Sequence, residues 1–187
     1  NGTFRYWSKD GGNVSTLVWK KGEKWNGEYA QFFDTGSKKN RENYVNGKLN
    51  GIARTWHRSG KQHEQQEYKN GKLNGDVLLW NEQGQKVLQQ KYSNGDRTGT
   101  YVEWYNNGQQ SKKGEYKNNK KEGVWSSWYE NGQIKFRQTF TAGIPDGEFN
   151  SFYEDGQKMQ SGVYRKGLEI GLFTKWHANG QKRQEYG

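Results

Sequence analysis

The sequence predicts an all-β protein, built as an elongated, curved, single-sheet antiparallel meander of eight 24-residue β-hairpin repeats. Three observations support this fold class. Glycine recurs every 24 residues, aromatic residues recur at fixed offsets from it, and each period holds two short turn signals between β-forming segments. Because self-similarity at a fixed period is the signature of a repeat architecture, the repeat is the unit of prediction.

Glycine marks the start of each repeat copy. The copies begin near residues 2, 27, 51, 75, 99, 123, 147 and 171, and the first is one residue longer than the others. Counted from its opening glycine as position 0, every copy has Trp or Phe at position +5 and Gly at position +9. Position +17 is aromatic in all seven copies that reach it. No linker interrupts the period, so we predict one repeat domain over residues 1–187.

Each copy predicts two strands and two turns. Positions +1 to +6 form the first strand and about +10 to +17 the return strand, which gives sixteen strands in all. The three residues between them end in Gly, which is typical of a type I turn closed by a left-handed glycine. The second connection, such as Asn46–Gly51, is too short for a crossover helix, so successive hairpins should pair antiparallel. A single sheet of this length should twist and bend.

Composition alone would favour a disordered chain. The mean hydropathy is −1.37 and only 29% of residues are hydrophobic, which buries little apolar surface against chain entropy. However, aromatic residues make up 16% of the chain and follow the repeat. Regularly spaced rings can build a thin continuous apolar seam without a large globular core.

The +5 aromatics are interpreted as structure. Alternation places positions +2, +4 and +6 on one face of the sheet and +3 and +5 on the other. Because the +5 residue is aromatic in every copy, we expect these rings, together with those at +17, to stack from copy to copy and to set the register. The tryptophans of this structural set in the third to sixth and eighth copies are Trp56, Trp80, Trp104, Trp128 and Trp176.

Position +6 varies more and is the candidate for partner recognition. Tyr, Phe and His are the amphipathic rings that supply contact area at protein interfaces with little entropy cost. The alternative is that these side chains only cover the second face of a thin sheet. The first copy has Ser8 here, and the partner-binding candidates are Phe33, His57, Tyr105, Tyr129 and Tyr153.

The charge favours an acidic partner. Thirty basic and 20 acidic residues give a net charge of +10, and such a surface attracts an acidic protein face, anionic lipid or nucleic acid. The basic candidates for partner contact are Lys112, Lys113, Lys135 and Arg137. Strand lysines that only discourage edge-to-edge aggregation are the alternative. Nucleic acid is disfavoured because the chain has no known nucleic-acid motif.

The sequence does not predict an enzyme, a metal site or a cofactor. The chain has no Cys, and its three His residues lack metal-ligand spacing. No serine lies in a nucleophile-elbow motif, and the Gly-rich segments lack the ending of a phosphate-binding loop.

The copies "GVWSSWYENGQIKFRQTFTAGIPDG" and "GTYVEWYNNGQQSKKGEYKNNKKEG" resemble the bacterial variant of the MORN repeat, with its G-x-W-x-x-[WY]-Y-x-N-G-Q-x-K signature. The sequence departs from that pattern at Ala53 and Val77, where +2 is usually aromatic, at Asn119 and at the linker "AGIPDG". The resemblance implies a non-enzymatic immunity or antitoxin protein that neutralises a cognate bacterial toxin by binding and occluding it. An envelope scaffold or adhesion protein that binds anionic lipid or glycan is the alternative.

Location follows from the same resemblance and from the chain's first residue, Asn1. We expect a processed or trimmed chain in the bacterial cell envelope or periplasm, as the soluble part of a lipoprotein. The cytoplasm is the alternative, since a chain without Cys suits either compartment.

Overall fold

The structure, a computed structural model, describes residues 1–7 and 13–187, and in these it contains seventeen β-strands and no helix. The predicted all-β class is therefore confirmed. Ser8 and Gly11, which the repeat places at +6 and +9 of the first copy, lie outside the described residues. The strands are β1 (Gly2–Trp7), β2 (Asn13–Lys20), β3 (Glu23–Phe32), β4 (Lys38–Val45), β5 (Lys48–Leu49), β6 (Gly51–Trp56), β7 (Gln62–Lys69), β8 (Lys72–Trp80), β9 (Lys86–Ser93), β10 (Asp96–Trp104), β11 (Gln110–Lys117), β12 (Lys120–Trp128), β13 (Ile134–Thr141), β14 (Ile144–Phe152), β15 (Lys158–Arg165), β16 (Leu168–Trp176) and β17 (Lys182–Tyr186).

The chain divides into two compact units. The first comprises Asn1–Lys86 and Lys91–Asp96, and the second comprises Val87–Gln90 and Arg97–Gly187. In the first unit, strands β1 to β8 pair antiparallel with their neighbours in sequence, and β4 pairs with both β5 and β6. In the second unit, β10 to β17 pair antiparallel in sequence order. The predicted hairpin meander is confirmed within each unit, while the single-domain assignment stays a prediction.

The hairpin turn has the predicted form. In the sixth copy the Gly132 N–H donates to the Tyr129 carbonyl (3.0 Å) and the Tyr129 N–H donates to the Gln133 carbonyl (2.8 Å). Gly132 has a φ of 85°, in the left-handed region that favours glycine. The same pair of bonds recurs in the copies that begin at Gly27, Gly51, Gly75, Gly99, Gly147 and Gly171. The three-residue loop closed by a left-handed glycine is confirmed.

The second connection contains a two-residue turn that is bonded to the strand following the previous turn. Asn46 and Gly47 both have positive φ, 51° and 75°, which is the type I′ geometry that matches strand twist. The Gly47 N–H donates to the Trp25 carbonyl (2.8 Å), and the Asn46 N–H donates to Asn26 Oδ1 (2.7 Å). Equivalent bonds to a carbonyl near the start of the strand after the previous turn are made by the N–H groups of Gly71, Gly95, Asn119, Gly143 and Gly167. Successive copies are therefore joined at their turns as well as along their strands.

One strand is split, which explains seventeen strands where sixteen are predicted. β5 ends at Leu49 and β6 begins at Gly51. Between them, the Asn50 N–H donates to the Asn43 carbonyl (2.9 Å), and Asn43 Nδ2 donates to the Asn50 carbonyl (3.0 Å). Gly51 has a φ of 87°, so the chain bends at the opening glycine of the copy. These two hydrogen bonds between Asn43 and Asn50 bridge the bend in place of the regular backbone ladder.

Candidate binding surface

Strand pairing assigns the repeat positions to two faces in each unit. Directly opposed residues of antiparallel strands share a face, and Trp125 pairs with Gln138, Gly123 with Phe140, and Ser126 with Arg137. We call the face that carries positions +2, +4, +13, +15 and +17 the ring face. The face that carries positions +1, +3, +5, +14 and +16 is called the groove face.

The ring face holds the most buried aromatic side chains of the second unit. Trp125, at +2, is 3% exposed and lies between Tyr101 and Tyr116, with ring centroids 5.4 and 4.9 Å away. Phe173, the +2 residue of the eighth copy, is fully buried, and Tyr164 lies 5.3 Å from it. Most of these pairs meet edge to face, the arrangement that the charge distribution of aromatic rings favours. The rings at +17 therefore pack on the rings at +2.

Two glycines make room for these rings. Gly114 and Gly162 occupy position +15, and neither has a positive φ. A Cβ added at Gly114 would collide with the Trp125 ring, and one at Gly162 would collide with the Phe173 ring. Close packing of the +2 ring on the backbone of the preceding strand is therefore the reason for glycine at these positions.

A cation caps the rings in several copies. Lys121 Nζ lies 4.5 Å from the Trp125 ring centroid and 4.9 Å from that of Phe140. Burial lowers the pKa of Lys121, and the nearby charge of Lys112 lowers it further. Lys24 lies in the same way over two tyrosine rings of the first unit. These contacts occur at position +22, which is not among the predicted site positions. Lys or Arg at the end of the second connection is nevertheless a signal that is visible in the sequence.

The +5 tryptophans are not the most buried rings. Trp56, Trp80, Trp104, Trp128 and Trp176 are half-buried. The +5 aromatics of the first two copies, Trp7 and Phe32, are 60% and 37% exposed. The +5 and +17 rings lie on opposite faces, and the ring contacts seen at +17 are with +2 rings. The seam on the ring face is thus formed by +2 and +17, while the +5 rings line the groove face.

The +6 side chains connect consecutive copies. The hydroxyl groups of Tyr105, Tyr129 and Tyr153 donate to the carbonyls of the +5 residues in the next copies, at 2.8, 2.9 and 2.8 Å. His57 Nε2 lies 3.0 Å from the Trp80 carbonyl in the same position. Burial raises the pKa of Tyr129, and Glu154 and Asp155 raise it further. The polar ends of four partner-binding candidates are therefore used within the fold.

Phe33 has no polar group for such a bond and is half-buried among cations. The Arg58 guanidinium lies 5.5 Å from its ring centroid, and Lys39 Nζ lies 6.0 Å away. Arg58 is itself paired with Asp34 (3.0 Å). Phe33 is therefore the +6 candidate whose ring meets two basic side chains.

The four basic candidates do not form one patch. Lys112 lies on the ring face and pairs with Glu103, with Nζ 3.0 Å from Oε2. Lys135 Nζ lies 5.3 Å from the Tyr129 ring centroid. Lys113 and Arg137 lie on the groove face, each directly paired with Ser126. The structure thus separates Lys112 from Lys113 and Arg137, which lie on the opposite face.

The groove face of the second unit has a concave site. A groove of about 320 Å³ lies where the register of β11 and β12 shifts between Lys113 and Glu115. Val124, Ser126 and Trp128 line it from β12, and Lys113, Gly114 and Glu115 line it from β11. Because the bulge at this point opens the ladder, the groove floor is backbone and glycine.

Exposed apolar side chains also lie on the groove face. Val124 is 57% and Leu172 60% exposed, and both occupy position +1. Further exposed apolar side chains of groove-face positions are Trp7, Val18, Phe32, Ile52 and Val163. Sequence reasoning missed those at positions +1 and +16, because these two positions show no aromatic pattern. Val124 also lines the groove, so the site presents an exposed apolar side chain to a ligand.

Within residues 1–7 and 13–187, no helix is long and apolar enough to cross a bilayer. In the same residues, no three His, Cys, Asp or Glu side chains come close enough to hold a metal ion. His57 and His63 do meet, with ring centroids 4.5 Å apart, and Thr55 Oγ1 lies 3.3 Å from His63 Nδ1.

Fold and surface together define a β-hairpin repeat protein with a ring-packed face and a groove-bearing face in its second unit. Four segments match the model of the MORN repeat variant: residues 49–70, 97–118, 121–142 and 145–166. The chain therefore contains MORN-variant repeats, with one matched copy in the first unit and three in the second. No curated protein sequence matches it.

Proposed function

We propose that the chain is a non-enzymatic binding protein of the immunity or antitoxin type, which neutralises a cognate bacterial toxin by occluding it. Its place would be the bacterial cell envelope or periplasm. The observation that carries the proposal is the groove face of the second unit. Exposed Val124 and Leu172, the half-buried Trp128 and the basic Lys113 and Arg137 lie there. Occlusion requires a complementary surface and no chemistry of its own.

Charge supports a partner with an acidic surface. The net charge of +10 gives the chain a positive field that accelerates encounter with acidic molecules. The apolar side chains would then be covered in the complex, and their burial would hold it together. The +6 set (Phe33, His57, Tyr105, Tyr129 and Tyr153) stays a prediction for partner contact, through the ring surfaces that are still half-exposed.

A co-expression experiment tests the proposal. The reading frame next to the gene for this chain would be expressed in a bacterial host, alone and together with this chain. We expect growth inhibition by the neighbour alone, restored growth with both proteins, and a complex that survives size-exclusion chromatography in about 0.5 M salt, where surface charges are screened. A harmless neighbour, or a toxic one that this chain neither binds nor neutralises, would contradict the immunity role.

The alternative is an envelope scaffold or adhesion protein that holds anionic lipid or glycan through basic side chains. Vesicles with and without phosphatidylglycerol separate it from the first proposal. Adhesion that needs the anionic lipid and fades as salt rises would favour the alternative, because such binding rests on screened charges.

A further inference from the structure

We propose that the groove face of the second unit recognises an acidic segment of a protein partner. One carboxylate would lie between Lys113 and Arg137, and a neighbouring apolar side chain would enter the groove beside Val124 and Trp128. This inference rests on the proposed function, because it names the chemistry of the partner that such a binding protein would take.

Two basic side chains flank a small one in a single cross-strand row. Lys113 on β11 pairs directly with Ser126 on β12, which pairs directly with Arg137 on β13. The three residues therefore share the groove face, and the backbones of the two basic residues are two strand spacings, about 10 Å, apart. Ser126 is too short to fill the space between two long basic side chains. A carboxylate placed above it can be reached from both sides.

These two charges are not compensated within the described residues. Lys113 and Arg137 are both exposed, and neither forms a salt bridge in the part of the chain that the structure describes. The equivalent row of the first unit is different. There Arg41 pairs with Glu28, and Arg54 Nε donates to Gln65 Oε1 at 3.0 Å. In the first unit, the +14 side chains Arg41 and Gln65 thus have partners within the fold. In the second unit, the +14 side chains Lys113 and Arg137 remain available to an external anion.

The groove limits which anion fits. Glu115 and Glu122 are directly paired at the far end of the groove from Trp128, and the Glu122 carboxylate accepts the Ala142 N–H (2.9 Å). A polyanion laid along the groove would meet these carboxylates and be repelled. A protein segment with one acidic and one apolar side chain satisfies both the basic row and exposed Val124 without that repulsion. The chemistry therefore favours an acidic protein segment over nucleic acid.

The chain offers a matched control for a test. Lys112 is adjacent to Lys113 but points to the ring face, and Lys135 is two residues before Arg137 but lies at the Tyr129 ring. The groove-face variant, Lys113→Gln/Arg137→Gln, removes both charges of the basic row. The control variant, Lys112→Gln/Lys135→Gln, removes the same charge and leaves the row intact. All four side chains are exposed, so both variants should fold, and thermal melts would confirm it.

The probe is a synthetic eight-residue peptide with one Glu and one neighbouring Leu among Gly and Ser residues, compared with its Gln–Leu counterpart. It would be titrated into the isotope-labelled full chain and followed by amide NMR shifts. We expect the acidic peptide to shift Lys113, Ser126, Arg137 and the Trp128 indole. The groove-face variant should weaken binding at least about tenfold, and the control variant should leave it within about twofold.

Equal weakening of peptide binding by both variants would overturn the inference, since the loss would then come from the change in net charge alone. No binding, equal binding of the Gln–Leu peptide, or shifts confined to the ring face would also overturn it. Should the toxin complex survive in the groove-face variant, the proposed function would stand and this surface assignment would fall. Should the peptide bind as expected while no toxin is found, this surface assignment would stand and the proposed function would fall.

Discussion

At the scale of single residues, the packing of rings on glycines determines the ring face. Trp125 and Phe173 lie against Gly114 and Gly162 of the preceding strands, where a Cβ cannot be accommodated. Neither glycine has a left-handed backbone, so lack of space, and not backbone strain, requires them. Glycine at these positions supports a large ring in the next copy.

Gly114→Ala should therefore destabilise the chain by about 1–3 kcal/mol, the usual cost of overpacking a tight site. Urea unfolding followed by tryptophan fluorescence and circular dichroism would measure it. Combining it with Trp125→Val, which removes the ring that collides, should recover much of that loss and give a coupling energy of at least about 1 kcal/mol. Additive effects of the two changes would show that the ring does not rest on Gly114.

Buried tyrosines give the chain a dependence on alkaline pH. Burial and the hydrogen bond to Glu103 raise the pKa of Tyr101 above its ordinary value of 10.0, and burial likewise raises the pKa of Tyr68 and of Tyr164. A group whose folded pKa is raised contributes stability that is complete below its unfolded pKa and is lost as pH rises through the folded pKa.

The urea midpoint should therefore hold steady up to about pH 10 and fall above it. Tyr101→Phe, which has no proton to lose, should show a smaller fall between pH 9 and pH 11 than the unaltered chain. An identical fall in both proteins would remove Tyr101 from the explanation.

At the scale of elements, each hairpin is joined to the next at its turns. The Tyr129 hydroxyl donates to the Phe152 carbonyl, and Asn131 Nδ2 donates to the Glu154 carbonyl (2.9 Å), both in the following copy. On the other side, an N–H of six of the second turns donates to a carbonyl near the start of the strand that follows the previous turn. Such nearest-neighbour bonds are how a repeat protein gains stability without a globular core.

Tyr129→Phe should cost about 0.5–1.5 kcal/mol of unfolding free energy, because the Phe152 carbonyl loses its donor while the ring stays in place. Tyr186→Phe serves as the control. Tyr186 is also a half-buried tyrosine, but its hydroxyl has no hydrogen-bond partner among the described residues. We expect that control within about 0.5 kcal/mol of the unaltered chain. A Tyr129→Phe protein as stable as the control would argue against a connecting role for +6.

The sequence alone predicted the elements well and the faces less well. Glycines at +9 and Asn-Gly pairs at the second connection require positive φ, so the turns were readable from residue types. Burial was not. Position +2 holds Ala53 and Val77 in two copies and appeared less regular than +5, yet Val77, at 6% exposed, is more buried than most of the rings there. Which of two aromatic rows packs inward depends on contacts across strands, such as Trp125 on Gly114, which no single copy reveals.

The basic residues illustrate the same limit. Lys112 and Lys113 are adjacent in sequence and appeared equivalent as partner-binding candidates. The alternation of the strand places Lys112 beside Glu103 on one face and Lys113 beside Ser126 on the other. The pairing of Lys113 and Arg137 across β12 depends on register, which is set by the bulge near Gly114.

At the scale of the whole molecule, the two faces of the second unit have different roles. The ring face and the turns hold the copies together, and the groove face keeps apolar and basic side chains for a partner. This division also predicts the consequence of removing either of two neighbouring tryptophans. Trp125 is buried on the ring face, whereas Trp128 is half-buried on the groove face.

The most direct test compares the unfolding free energies of Trp125→Ala and Trp128→Ala by urea titration. We expect Trp125→Ala to cost about 3–5 kcal/mol, as for a buried ring, and Trp128→Ala to cost clearly less, because its ring is already partly in water. A Trp128→Ala protein destabilised as much as, or more than, the Trp125→Ala protein would contradict the division between a structural ring face and a groove face that is free to bind.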